Sequence, residues 1–214
     1  MGRTQEEPAV RRRLVSAAIR LFAEKGYESA SVSEIVAAAG VTKGSMYHYF
    51  QAKDDLLQEI YHRVLAMQFD RLERLAAGPG SPVDRLRAVA VDVVVTSVAH
   101  LDDVTVFFRS MHLLEPARRA AVREERRRYH ERFRALVEEA QEAGLLRTDV
   151  PADLAVHYFF GSVHHLLTWY RSDGPMNASQ IGNVFAQLLI DGLSPLPAPG
   201  PARSVSHTDR SVAN

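Results

Sequence analysis

No cysteine occurs among the 214 residues. That absence excludes disulfides, zinc–thiolate sites and thiol catalysis. Lysine is nearly as scarce: Lys25, Lys43 and Lys53 stand against twenty-three arginines. No apolar run reaches the roughly 18 residues that a membrane span needs. An excess of charge is missing too, since 26 Lys+Arg balance 26 Asp+Glu, so net charge announces no nucleic-acid partner. The opening MGRTQEEPAVRRR has no apolar segment behind it and does not read as a signal peptide. The expected location is the cytoplasm. Repeats are absent and strand signals are weak.

What is present is helical. Apolar spacing of three and four predicts an all-α chain, with helices over about 9–25, 32–39, 43–50, 53–76, 83–100, 102–114, 116–143, 151–171 and 178–193. Ser31 and Glu34 have the spacing of a capping box. Gly40-Val41 reads as a tight turn, Thr42 as the cap of the third helix, and Gly78-Pro79-Gly80-Ser81-Pro82 as a strong breaker. Residues 1–55 form a predicted helix-turn-helix head with an N-terminal arm over 1–8. Residues 56–194 form a predicted helical body, and 195–214 a Pro-rich tail expected to be disordered. Residues 1–53 carry 8 Lys+Arg against 5 Asp+Glu, and the remainder 18 against 21. The head is thus slightly basic, the sign expected of a DNA-facing unit.

Two short helices joined by a glycine turn describe a helix-turn-helix, whose second helix enters the major groove by its N-terminal end. Here that end carries Thr42, Lys43, Gly44 and Ser45. The hydroxyls reach phosphates or base edges, Lys43 reaches a guanine or a phosphate, and Gly44 permits close backbone approach. Met46 and Phe50 lie four apart and should pack inward. Tyr47 and Tyr49 then face the groove wall; the competing reading makes them core aromatics. Ser31 and Lys53 complete the expected contacts, Lys53 adding charge and a helix N-terminus. Arg11, Arg12 and Arg13 read equally as a minor-groove arm or as a solvated charge run.

From about residue 11 to 57, LFAEKGYESASVSEIVAAAGVTKGSMYHYFQAKDDLL carries a long, specific pattern, and the chain resembles the TetR family of bacterial repressors. Ala52 departs from it, standing where a capping side chain is usual, at a cost of about 1 kcal/mol. The resemblance implies a homodimer whose two heads read the halves of a near-palindromic operator. It also implies a body that binds a small effector and then moves helix 4, with no cofactor and no enzymatic activity. Further on, WYRSDGP resembles a segment of family members that sense acyl-CoA thioesters in fatty-acid or steroid breakdown. An acyl-CoA needs an apolar slot and arginines for its phosphates. Phe107, Phe108, Met111, Phe159, Phe160 and Trp169 are candidates for the slot, and Arg109, Arg126 and Arg171 for the charge. The competing reading has Trp169 and Tyr170 closing a corner and Arg171 capping carbonyls.

Helix 8, DLAVHYFFGSVHHLLTWY, is apolar nearly all round and must be buried on more than one side. Helix 9 carries Ile181, Val184, Phe185, Leu188 and Leu189. Paired across two subunits these helices would make a four-helix homodimer interface; paired within one chain they would make a core. Arg126 interrupts the apolar stripe Val122, Tyr129, Phe133, Leu136, Ala140 of helix 7. It is expected to meet Asp92, to lay its stem along the surface, or to bind ligand. His157, His164 and His165 are the material for a rival metal-dependent enzyme, but no acid follows them at i+3 or i+4, and no metal site is expected. Another rival is a TetR-type repressor of an efflux system sensing hydrophobic drugs, which would want a buried acid such as Asp92. A third is an architectural DNA-binder with a fully packed body.

Overall fold

The computed structural model describes residues 9–195; the expected arm over 1–8 and the expected tail beyond 195 lie outside the described residues. Local signals place the helix ends. Helix α1 spans Ala9–Lys25 and α2 Val32–Ala39. Ser31 Oγ accepts from the Glu34 N–H at 3.2 Å, and Glu34 accepts from the Ser31 N–H at 2.9 Å, which satisfies two orphan donors at once. Gly40 ends α2 at φ +62°, a left-handed geometry that a side chain would strain. Thr42 Oγ1 then accepts from the Ser45 N–H at 3.1 Å and starts α3, Lys43–Tyr49.

Helix α4 spans Lys53–Ala76 and α5 Pro82–Ala99, the latter capped by Ser81 and Asp84. Helix α6, Leu101–Ser110, stops four residues short of the expected end, and a 3-10 turn covers Met111–Leu113. Leu114 and Glu115 are extended there, with ψ 143° and 150°; Pro116 enforces this on the residue before it. Helix α7 is Pro116–Glu142, α8 Ala152–Trp169 and α9 Ala178–Leu193. Every described helix is α or 3-10, and none is long and apolar enough to cross a membrane.

Two cores result. One joins α4, α5, α7, α8 and α9 around Phe133, Leu136, Phe159 and Leu189. Each such side chain stabilises the fold by about 1.5–3 kcal/mol on burial. Helix α9 lies close against α5 because Gly182 has no side chain: a Cβ there would meet the Val91 carbonyl oxygen at 3.1 Å. The other core belongs to the head, with Leu14, Phe22, Ile35, Met46 and Phe50. It does not end at residue 55. It continues through Leu57, Ile60 and Tyr61 of α4 into Phe107 of α6 and Val122 of α7. The head therefore shares its interior with the body.

Candidate DNA-reading surface and effector cleft

The stripe of α3 divides as its spacing dictates. Met46 and Phe50 are buried, while Thr42, Lys43 and Gly44 are exposed and Ser45 is half-buried. Tyr47 is 47% exposed. Tyr49 is half-buried, its ring edge-on to His48 with centroids 4.9 Å apart, and it packs on the head core. Of the two tyrosines, Tyr47 is the exposed one, while Tyr49 packs partly against the head core. His48 is exposed beside it; the motif reading passed over it, although its place between two tyrosines on a seven-residue helix was a usable signal. Thr42 and Ser45 share a 3.0 Å hydroxyl contact at the helix start. Ser31 is exposed, with its hydroxyl donating to Glu34 at 2.7 Å.

Lys53 departs from its expected place. Its ammonium donates to the Tyr27 carbonyl at 2.7 Å and the Ala30 carbonyl at 3.0 Å, and it lies 4.2 Å from the Tyr27 ring centroid. It is occupied inside the head, clamping the α1–α2 loop onto α4, rather than presented to a phosphate. Tyr27 in turn donates to Asp54. Ala52 offers no cap, but Asp55 accepts from the Ala52 N–H at 3.0 Å and recovers half of a capping box. Arg11, Arg12 and Arg13 belong to α1, not to an arm. Arg11 pairs with Glu59 of α4 at 2.6 Å.

Between α4, α5, α6, α7 and α8 the body holds a narrow cleft, with about 40 Å³ of space for water-sized occupants. Of the expected slot residues, Phe107, Phe108, Arg126 and Phe160 line it, together with Val64, Gln68 and Ser97. The others do not. Phe159 is interior core, stacked on Phe133 with centroids 5.1 Å apart. Met111 packs on the head core. Arg109 is exposed and outside the cleft wall. Trp169 and Arg171 line a separate groove at the α8–α9 corner, where Arg171 makes a two-pronged pair with Asp173 at 3.0 Å. The three arginines therefore do not converge. Spacing along one helix cannot say how α6, α7 and the corner sit relative to each other.

Arg126 does not meet Asp92 either. Asp92 accepts from Arg71 Nε at 2.8 Å, and Arg126 lies over Phe108, 5.6 Å from its centroid. Two further links tie α6 and α7 to α4. The Phe107 ring is edge-on to Tyr61 at 4.8 Å, and the Tyr61 hydroxyl donates to the Phe107 carbonyl at 2.9 Å. Arg118, in the first turn of α7, holds both Asp55 and Gln58 of α4 at 2.6 Å.

The three histidines of the metal reading do not gather. His157 and His165 are exposed, while His164 lines the cleft. An acid does sit beside His157, one turn back rather than forward: Asp153, at 3.5 Å. No group of three His, Cys, Asp or Glu side chains suits a metal among the described residues. Two imidazoles do share the cleft wall: His130, stacked on Phe160 at 4.2 Å, and His164, 4.3 Å from Phe108. Burial, with Arg126 nearby, pushes these imidazoles down from 6.5 to about 4 and about 3. Both folded values lie below the unfolded one, so the unfolded chain binds more protons below pH 6.5 and stability falls on acidification. Lowering pH from 7 to 5 is expected to cost at most about 2 kcal/mol per imidazole. Thermal unfolding of His130→Phe/His164→Phe against pH checks this; an unchanged slope between pH 7 and 5 would contradict it.

Helix α8 buries one face, through Val156, Phe159, Phe160 and Val163. Its other face stays open, with Leu154 and Tyr158 each 60% exposed. The α9 stripe splits likewise: Ile181 and Leu189 point inward, while Val184 and Leu188 are 44% and 55% exposed.

Residues 14–60 match the family described as bacterial regulatory proteins of the tetR family, and residues 79–193 match the tetracyclin repressor-like C-terminal domain. The HTH-type transcriptional repressor KstR2 of Mycobacterium tuberculosis is 24% identical over 182 residues, covering 85% of this chain and 91% of its own. A TetR/AcrR-family regulator from Thermobifida fusca is 32% identical, with a TM-score of 0.69 over 85% of this chain and 97% of that one. AibR, solved in complex with isovaleryl coenzyme A and operator DNA, is 26% identical, with a TM-score of 0.75 over 85% and 98%. With its capped α2–α3 unit at one end and a cleft-bearing helical body at the other, the chain belongs to the TetR family of transcriptional repressors.

Proposed function

We propose that this repressor binds a near-palindromic operator as a homodimer, through Thr42, Lys43, Gly44, Ser45 and Tyr47, and is released by an acyl-CoA thioester held in the cleft. The observation that carries the reading is the wall shared by cleft and head. Phe107 lines the cleft and is also part of the head core, beside Tyr61 of α4. An occupant that displaces Phe107 therefore works on α4, and the dimer shifts between operator-competent and released populations. The solved AibR complex with isovaleryl coenzyme A supports the choice of effector class. A repressor of an efflux system sensing hydrophobic drugs, which would want a buried acid, has less support, because no Asp or Glu among the described residues lines the cleft.

The test is operator release, followed by fluorescence anisotropy with fatty and steroid-derived acyl-CoAs, the matching free acids and free CoA. Thioesters are expected to release the DNA and free CoA is not. Release by uncharged or cationic hydrophobic compounds, with none by thioesters, would move the effector class. Lys43→Ala is expected to reduce the slope of log affinity against log salt by about one phosphate contact's worth. An unchanged slope would remove Lys43 from the backbone contacts.

A further inference from the structure

The cleft wall holds a single charge. Among the described residues Arg126 is the one Lys or Arg lining it, and no Asp or Glu lines it. Arg126 also makes no ion pair among the described residues, its close partner being the Phe108 ring. An aromatic face attracts a guanidinium but accepts none of its N–H donors in the manner of an oxygen. Burial lowers the Arg126 pKa, the direction expected of a cation kept from water without a counter-charge. The flanking imidazoles of His130 and His164 are held neutral and add no charge of either sign. The site is thus one positive fork in a slot whose other described lining side chains are uncharged.

We infer that the cleft takes an effector whose apolar body carries a carboxylate, and that the carboxylate sits on Arg126. A carboxylate matches the fork with two oxygens and one negative charge, so the buried pair is neutral overall. A phosphate dianion would need a second cation, and the wall has none. This rests on the reading of the cleft as the effector site and makes it more specific. In a thioester the carboxylate belongs to the acyl unit, distant from the sulfur, and the phosphates of CoA stay outside the slot. The same carboxylate could instead come from a free acid without CoA.

Four probes separate these sources on the full-length protein: decanoyl-CoA, the mono-CoA thioester of decanedioic acid, decanoic acid and decanol. Affinities are read from thermal shift and from operator release. The carboxylated member of at least one pair is expected to bind roughly tenfold or more tighter than its partner. Arg126→Gln is expected to abolish that ratio, and Arg126→Lys to keep part of it. If only the free-acid pair shows the ratio, the carboxylate seat stands and the thioester reading falls. Equal binding within both pairs, a ratio that survives Arg126→Gln, or no response to either carboxylate overturns the inference. Release by decanoyl-CoA in those cases leaves the proposed function standing.

Discussion

Leu188→Glu combined with Tyr158→Glu is expected to turn the protein into a monomer and to abolish operator binding while the fold survives. Both side chains are more than half exposed on the open faces of α9 and α8, alongside Leu154 and Val184. Such a row on adjoining helices is more apolar than a solvated surface needs. In a two-fold interface every residue acts twice, so the double variant would bury four carboxylates. The expected loss is at least about 4 kcal/mol, or a thousandfold in dimer affinity. Light scattering reads the mass directly, against 23.8 kDa for one chain. Because the substituted positions are exposed in the single chain, the helical circular dichroism should persist. A variant that remains dimeric and still holds the operator would place the interface elsewhere.

Lys53→Met is expected to destabilise the head by about 2–4 kcal/mol, since it strands buried carbonyl groups that a charged donor now satisfies. For a chain of this size that lowers the thermal midpoint by roughly 4–16 °C. Lys53→Arg decides between clamp and phosphate contact. A phosphate contact tolerates arginine, which carries the same charge. The clamp does not, because a planar guanidinium cannot take the place of a compact ammonium set among the Tyr27 and Ala30 carbonyls at 2.7 and 3.0 Å. Both variants should therefore lose stability. If both melt like the parent and operator affinity falls in Lys53→Met but not in Lys53→Arg, Lys53 works at the DNA after all.

Local chemistry acts within a turn or two of helix, so it can be read from a string of residues. Ser31 with Glu34, Gly40, Thr42, Pro82 and Pro116 each act on neighbours three or four positions away. For that reason α2 begins and ends where its signals predict, and α3, α5 and α7 start within one residue of the expected position. The same reach made Met46 and Phe50 legible as the buried side of α3, and the stripe of α7 legible as core. The α6 end was missed because the apolar spacing runs on through Met111–Leu113, where the chain takes a 3-10 turn instead.

Partners far apart in the chain belong to the tertiary structure alone. Lys53 finds carbonyls of residues 27 and 30, Asp92 finds Arg71 in place of Arg126, and Arg118 reaches back to Asp55. Arg109, Arg126 and Arg171 looked equivalent as sequence. Their helices and turn place one in the cleft, one in solvent and one against Asp173. The reason is geometric: periodicity tells which face of a helix is apolar. The crossing of helices then decides what each charged side chain meets, and whether an open face such as that of Leu154 and Tyr158 is left for another molecule.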